Sequence, residues 1–278
     1  MNTEITILAD NYIPVSFGMT SEYGLSMCVQ HNNEFFIFDT GQTGVAVDNA
    51  LVLGKDLRAA GKIILSHGHY DHVGGLLRFL KVLKPETPVY MHEKADEKKY
   101  VLNEKLGEKY IGFLNPIEYL EANYKAVFVK VQDYKDYGNG VYSLANVPMT
   151  NKFEKIPPAL KVKTVSGYEN DTFPDDLSVI LDTEKGLTIL LGCAHRGMVN
   201  ICTAAKKQFN KNIYAVIGGT HLMDVDKNGL DFAVDFIKSE KIQIFAPNHC
   251  TGMDKICYFK EKLPEIYQPA FCGNSISI

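Results

Sequence analysis

Cysteine is sparse in this chain, and no two cysteines stand close enough to form a motif. The six residues (Cys28, Cys193, Cys202, Cys250, Cys257 and Cys272) are scattered over 278 positions with no Cys-x-x-Cys spacing. A chain this long can bury a sizeable core without covalent staples, so a disulfide scaffold is not expected and the thiols read as reduced, in a cytoplasmic protein. Long apolar runs are missing as well. No stretch approaches the roughly 20 apolar residues of a membrane-spanning helix. The opening residues, Met1-Asn2-Thr3-Glu4-Ile5, lack the basic segment and apolar block of a signal peptide. Nor is there a surplus of positive charge. A formal net charge of -4 and a pI near 6.1 leave no electrostatic footprint for nucleic acid or an anionic membrane. The lysine-rich stretch 93–99 is interrupted by acids and reads as a solvated helix face. What remains, 46% hydrophobic and 22% charged residues, is ordinary for a globular protein.

The first third alternates short apolar runs with amphipathic ones. Residues 5–9, 25–30 and 34–38 read as strands, the last closing at Asp39-Thr40-Gly41. Apolar residues recur at helical spacing over 45–60, with Gly61 as the stop. Ile63-Ile64-Leu65 reads as a buried strand, 73–83 as a helix ended by Pro85, and 88–91 as the next strand. The segment 93–160 is rich in Tyr, Lys and Glu, with Gly138-Asn139-Gly140 and Pro157-Pro158 as breakers. It reads as an insertion or cap within a single domain spanning 1–278, because no linker cuts it away. Strands then return at 177–181, 187–191, 215–217 and 242–246. Three of these run into polar turns: Gly192-Cys193-Ala194-His195, Gly218-Gly219-Thr220-His221 and Pro247-Asn248-His249-Cys250. Interleaved strands and helices define an α/β or α+β fold with helices covering sheets.

Chemistry concentrates in His67-Gly68-His69-Tyr70-Asp71-His72, between a buried strand and a helix. Side chains two apart in extended backbone point the same way, so His67 and His69 can share one metal. Asp71 and His72, where the chain turns into the helix, can face a second. Imidazole and carboxylate suit zinc first, with iron or manganese as alternatives. Two such ions a few ångströms apart can share a water, lower its pKa and clamp an ester or phosphoryl oxygen. A surface turn would not require this set of residues between a strand and a helix.

This run, with the upstream strand closing at Phe38-Asp39-Thr40-Gly41, resembles the metallo-β-lactamase superfamily over nearly the whole chain. The resemblance implies a four-layer αββα sandwich with metals at one sheet edge. It implies Asp39 as an acid that orients the metal-binding loop, Asp71 as a ligand with a catalytic part, and His249 as the last histidine ligand. The sequence also departs from the pattern. Where most members carry a histidine in a segment like His-Thr-Pro-Gly-His, this chain has Asp171-Thr172-Phe173-Pro174-Asp175-Asp176. Where a bridging aspartate follows a strand in Thr-Gly-Asp, it has Gly192-Cys193-Ala194-His195. His195 is the first substitute, with Cys193, Asp175 and Asp176 behind it. Cys193 reads equally as an inert packed thiol, and the two aspartates as turn caps.

The altered set (HGHYDH, GCAHRGMVN, GGTHL and PNHCTG) is similar to a branch containing the dihydropterin–ribofuranosylaminobenzene phosphate synthases and many metal-dependent hydrolases. That match adds His221, at the substrate mouth or as an alternative ligand. His31 and His92 stay outside the site. The tyrosines of 93–160 could stack a pterin or aryl ring, though tyrosine more often packs a half-buried cap. The resemblance implies two divalent metals and a phosphorylated or ester small molecule. The reaction is then displacement of diphosphate from a pterin-methyl diphosphate, or hydrolysis by a bridging hydroxide. A diiron redox or sensing protein ranks behind both, since the oxygen-reducing relatives have a carboxylate in place of His69 and carry a flavin domain.

Overall fold

The computed structural model describes residues 3–105 and 107–278. The first part of the chain gives β1 (Thr3–Ala9), β2 (Ser26–His31), β3 (Glu34–Phe38), α1 (Val45–Val52), β4 (Ile63–Ile64), α2 (Tyr70–Val73), α3 (Leu76–Val82) and β5 (Pro88–His92). The middle gives β6 (Lys99–Asn103), β7 (Gly107–Tyr110), α4 (Ile117–Tyr124), β8 (Val127–Val131), β9 (Tyr134–Gly138), β10 (Val141–Leu144), β11 (Leu160–Thr164) and β12 (Gly167–Asn170). The last part adds β13 (Ser178–Thr183), β14 (Gly186–Leu191), α5 (Met198–Phe209), β15 (Ile213–Gly219), α6 (Lys227–Ser239), β16 (Ile244–Asn248), α7 (Met253–Lys262) and β17 (Ser275–Ser277).

Two large sheets face each other. One has seven strands in the order β17-β1-β2-β3-β4-β5-β8, the other six in the order β16-β15-β14-β13-β10-β9. Side chains alternate across each strand, so each sheet serves two cores. Ile5, Ile7, Phe36 and Phe38 from the first sheet meet Val179, Leu181 and Leu190 from the second. The opposite faces pack on helices. Ile37, Ile63 and Val89 lie with Ala46, Leu76 and Phe79, while Ile180, Ile189 and Val216 lie with Ile201, Val234 and Phe259. The result is an αββα sandwich.

The segment 93–160 divides among three sheets. β8 joins the edge of the first large sheet, and β9 and β10 the edge of the second; β6 and β7 pair with β11 and β12 in a separate four-stranded sheet. The stretch 93–99 is not a solvated helix face: it is a series of turns leading into β6, and Lys99 is fully buried. The reason lies in its partners, Asp171 and Asp175, which are distant in sequence and make a buried lysine tolerable.

The architecture gathers strand ends at one place. β3, β4 and β5 run parallel, as do β14, β15 and β16. Their carboxyl ends lie along one edge of the sandwich, and the two sheets touch there through Leu177, whose N–H donates to the Ser66 carbonyl at 2.8 Å. The approach is close enough that a Cβ on Gly192 would stand 2.2 Å from Ser66 Oγ, so only glycine fits after β14.

Candidate metal centre

The loop after β4 supplies His67 to His72, and its shape depends on Gly68. A side chain there would meet the Ala95 carbonyl at 1.8 Å. The loop presses directly on the segment before β6, and His67, His69, Asp71 and His72 are turned inward and buried. His195 follows β14 and His249 follows β16; both are buried beside them.

These side chains fall into two groups that could each hold a metal ion. Asp71, His72, Cys193 and His249 form one; His67, His69 and His195 form the other, with all donor atoms in a group within 4.8 Å of one another. The groups adjoin, the His67 and His72 ring centroids being 4.2 Å apart. Cys193 and His195 do not compete for one position. Cys193 Sγ lies 3.0 Å from His72 Nε2, and His195 Nε2 lies 3.3 Å from His67 Nε2.

Tautomers can be assigned from the outer partners. Asp39 Oδ2 accepts from His72 Nδ1 at 2.6 Å and from the Ser66 hydroxyl at 2.7 Å, while Oδ1 accepts from Ser66 N–H at 2.7 Å. Since a carboxylate only accepts, the proton of His72 sits on Nδ1. Asn11 Oδ1 accepts from Gly24 N–H at 3.2 Å and so must be the amide oxygen; His249 Nδ1, 2.8 Å away, therefore donates to it. The other ring nitrogens, His72 Nε2 and His249 Nε2, face each other at 3.1 Å, with Asp71 Oδ2 3.3 Å from His249 Nε2. Two lone pairs at that separation repel unless a proton or a cation lies between them. In the other group, His69 Nε2 is buried without a hydrogen-bond partner. Both facts fit a set of metal ligands better than a packed polar core.

Charge supports the same assignment. Burial first, and neighbouring imidazoles second, hold His67 far below the ordinary histidine pKa, and the same causes act on His69 and His195. They are neutral and free to donate electron pairs. Burial would also lower His72, but the carboxylates of Asp39 and Asp71 prevail and raise it to about 9. Without a metal, that group of donors takes up a proton. Burial, followed by the Cys250 thiol, pushes the Cys193 thiol far up, so only a bound cation would make it a thiolate.

The remaining candidates lie around these groups. Asp176 Oδ2 accepts from Arg196 N–H at 2.8 Å, bracing the turn that carries Cys193 and His195, and burial raises its carboxyl to about 7. Asp175 accepts from Lys99 and from Gly68 N–H rather than joining either group. The His221 ring lies 4.4 Å from that of His195 and lines a cleft of about 450 Å³ with Lys152, Lys155 and Asp224. Asp39 contacts His72 and Ser66, on the outer side of the candidate ligands. His31 and His92 are elsewhere, bonded to Thr3 and Asp133.

Sequence reasoning missed four contributors. Asp10 Oδ1 accepts from His249 N–H at 2.8 Å, and Asn11 fixes its ring. Both immediately follow β1, a strand-end position that could have been read like the others. Ser66 relays Asp39 to His67 Nδ1 at 2.9 Å. Phe173 stacks on His195 at 3.9 Å and stands edge-on to His69 at 5.3 Å, closing one side of the three-histidine group. It occupies the segment where the usual histidine is missing.

The family model of the metallo-beta-lactamase superfamily matches residues 20–206, and the chain belongs to that superfamily. It is 27% identical to a 7,8-dihydropterin-6-methyl-4-(beta-D-ribofuranosyl)-aminobenzene-5'-phosphate synthase of Methanocaldococcus jannaschii, over 99% of this chain and 96% of that one. It is 32% identical to an uncharacterized protein of the same organism, over 89% of this chain and 90% of the relative. A crystal structure of a metal-dependent hydrolase of the beta-lactamase superfamily superposes with a TM-score of 0.85 at 26% identity, covering 99% of each chain. Among the described residues, no helix is long and apolar enough to cross a membrane.

Proposed function

We propose that this protein is a cytoplasmic two-metal enzyme that displaces diphosphate from a pterin-methyl diphosphate, with an arylamine nitrogen as the nucleophile. The observation that carries the reading is the pairing of two unlike donor groups in one buried centre, three neutral histidines beside an Asp-His-Cys-His set. His67, His69 and His195 would hold one divalent ion; Asp71, His72, Cys193 and His249 would hold the other. Zinc fits the imidazole and thiolate donors first. When bound, the ions supply Lewis acidity that stabilises negative charge on a departing phosphate oxygen.

The donor sets differ in charge. A dication among three neutral imidazoles keeps its full positive charge toward a ligand. One facing a carboxylate and a thiolate is neutralised by them. The three-histidine side therefore suits a phosphate group. Asp39 and Asn11 hold His72 and His249 in the tautomers that leave their Nε2 atoms free, and Phe173 excludes water from one flank. His221 stands between the His195 ring and the adjoining cleft, where it would meet the organic part of a substrate.

In the displacement, the bond between the methylene carbon and the diphosphate oxygen breaks and its electron pair leaves on diphosphate. The amine nitrogen of the aminobenzene partner supplies its lone pair for the new carbon–nitrogen bond. The alkylated nitrogen then gives up a proton, which the departing diphosphate or solvent takes up. The near full-length similarity to the synthase supports this reading over the alternatives.

A second reading, hydrolysis of a phosphoester, is favoured by the likeness to the metal-dependent hydrolase. Turnover in ¹⁸O-labelled water separates the two. The proposed displacement releases diphosphate and leaves both products free of label. Label in an alcohol or phosphate product establishes hydrolysis instead.

A further inference from the structure

The middle of the chain reaches the metal centre through one buried cation. Lys99, the first residue of β6, is fully buried, and its ammonium group donates to Asp171 Oδ2 at 2.7 Å and to Asp175 Oδ1 at 2.9 Å. The other oxygen of Asp175 accepts from Gly68 N–H at 3.0 Å, between His67 and His69. The same ammonium group lies 4.6 Å from the centroid of Phe173, whose ring stacks on His195 at 3.9 Å. Lys99 thus touches, through one intermediary each, the backbone between two histidines and the ring of the third. Its contacts lead to the three-histidine group, while the Asp-His-Cys-His group is held by Asp39, Asp10 and Asn11.

We propose that Lys99 is a positioning residue for the three-histidine site, setting its metal affinity without touching the ion. The proposal rests on the reading of that group as a metal site. The loop 171–176 has no histidine of its own, so its contribution is made through Asp175, Phe173 and this lysine. The energetic case is direct. A lysine with two carboxylates in a dry interior is costly to assemble and holds one geometry once assembled. Groups bonded directly to a metal ligand typically change metal affinity 10–100-fold, and Lys99, which acts through Asp175 and Phe173, is expected at the lower end, about 10-fold.

The test is a cobalt(II) titration of the metal-stripped full-length chain, followed by absorption spectroscopy. Cobalt beside Cys193 gives a thiolate charge-transfer band, and cobalt on three histidines gives only ligand-field bands, so the sites are read separately. Wild type takes up two equivalents. In Lys99→Met the charge-transfer band keeps its intensity, and the equivalent without thiolate binds about 10-fold more weakly.

Lys99→Met leaves two buried carboxylates and can fail to fold. Asp175→Asn is the second variant. It keeps the Lys99–Asp171 pair, yet one amide oxygen cannot serve both Lys99 and Gly68, so it breaks the same link and shows the same selective loss. Affinity for the second equivalent within twofold of wild type in a folded variant overturns the proposal, as does equal weakening of both equivalents. A wild type that binds only the thiolate-site cobalt overturns instead the reading of the three histidines as a metal site.

Discussion

Asp39→Asn separates the role of Asp39 in the fold from its role in the metal centre. Asp39 sits in the left-handed region at φ +60°, which asparagine tolerates equally well, so the backbone is not disturbed. The amide has one acceptor where the carboxylate had two. Ser66 N–H, a donor that cannot change, at 2.7 Å, claims the oxygen. The NH₂ group then faces His72 Nδ1, formerly 2.6 Å from Oδ2, and the ring relieves that conflict by moving its proton to Nε2. Nε2 is the atom that faces Cys193 and His249, and a proton there blocks its lone pair.

Two buried bonds to a charged acceptor are lost or reversed, which costs on the order of 2–4 kcal/mol of stability. Metal affinity at the Asp-His-Cys-His site falls about 10–100-fold, or about 1.4–2.7 kcal/mol. Chelator competition with zinc measures the affinity, and urea denaturation of the metal-free protein measures the stability. A variant that folds and holds zinc at the thiolate site within twofold of wild type would refute the tautomer argument.

Three further outcomes follow from other parts of the structure. Burial first raises the Cys28 thiol from 9.0 to about 11. The unfolded chain then loses this proton before the folded one does. Its contribution is intact below pH 9 and falls by about 1.4 kcal/mol by pH 10 and about 2.7 kcal/mol above pH 11. Cys28→Ala, compared with wild type by denaturation at pH 8 and pH 10, loses that slope. Phe173→Ala removes a fully buried ring stacked on His195 and lowers stability by about 3–5 kcal/mol in urea melts. Glu154 accepts from Val199 N–H at 2.8 Å and Asn200 N–H at 3.1 Å, capping a helix whose N-cap, Gly197, has no side chain. Glu154→Ala is expected to cost about 1–2 kcal/mol, with faster amide exchange confined to the first turn of α5.

Much of the sandwich was legible because it rests on local signals. Short apolar runs closed by polar turns became β3, β4, β14, β15 and β16, and the histidines at their ends met because parallel strands share an edge. Extended pairing is set by partners distant in sequence, and there the reading stopped. Residues 93–99 have the charge pattern of a helix face, yet Asp171 and Asp175 draw Lys99 inside, and that pairing leaves no local signature. The 45–60 periodicity was cut short for a local reason. α1 ends at Val52, Gly54 adopts φ +68°, and Asp56 caps a short separate turn. Asp10 and Asn11 were overlooked because neither belongs to a metal-ligand motif; their work is to orient His249, 238 residues from Asn11.

The sequence left Cys193 and His195 as rivals for a replaced ligand, and the structure places them in different groups. Positive φ at Ala194, +56°, turns the chain between them so that the two side chains diverge, one toward His72 and one toward His67. The sequence has lost a histidine before β13 and an aspartate after β14, and this one turn supplies a donor near each position. It follows that the two substitutions should be separable. In a cobalt titration, Cys193→Ser should abolish the thiolate band and weaken that equivalent while sparing the other. His195→Ala should spare the band and weaken the equivalent without it. Neither effect needs the other, because the donors share no hydrogen bond. If both variants lose the same equivalent, the centre holds a single ion across both groups, and the division into two sites is wrong.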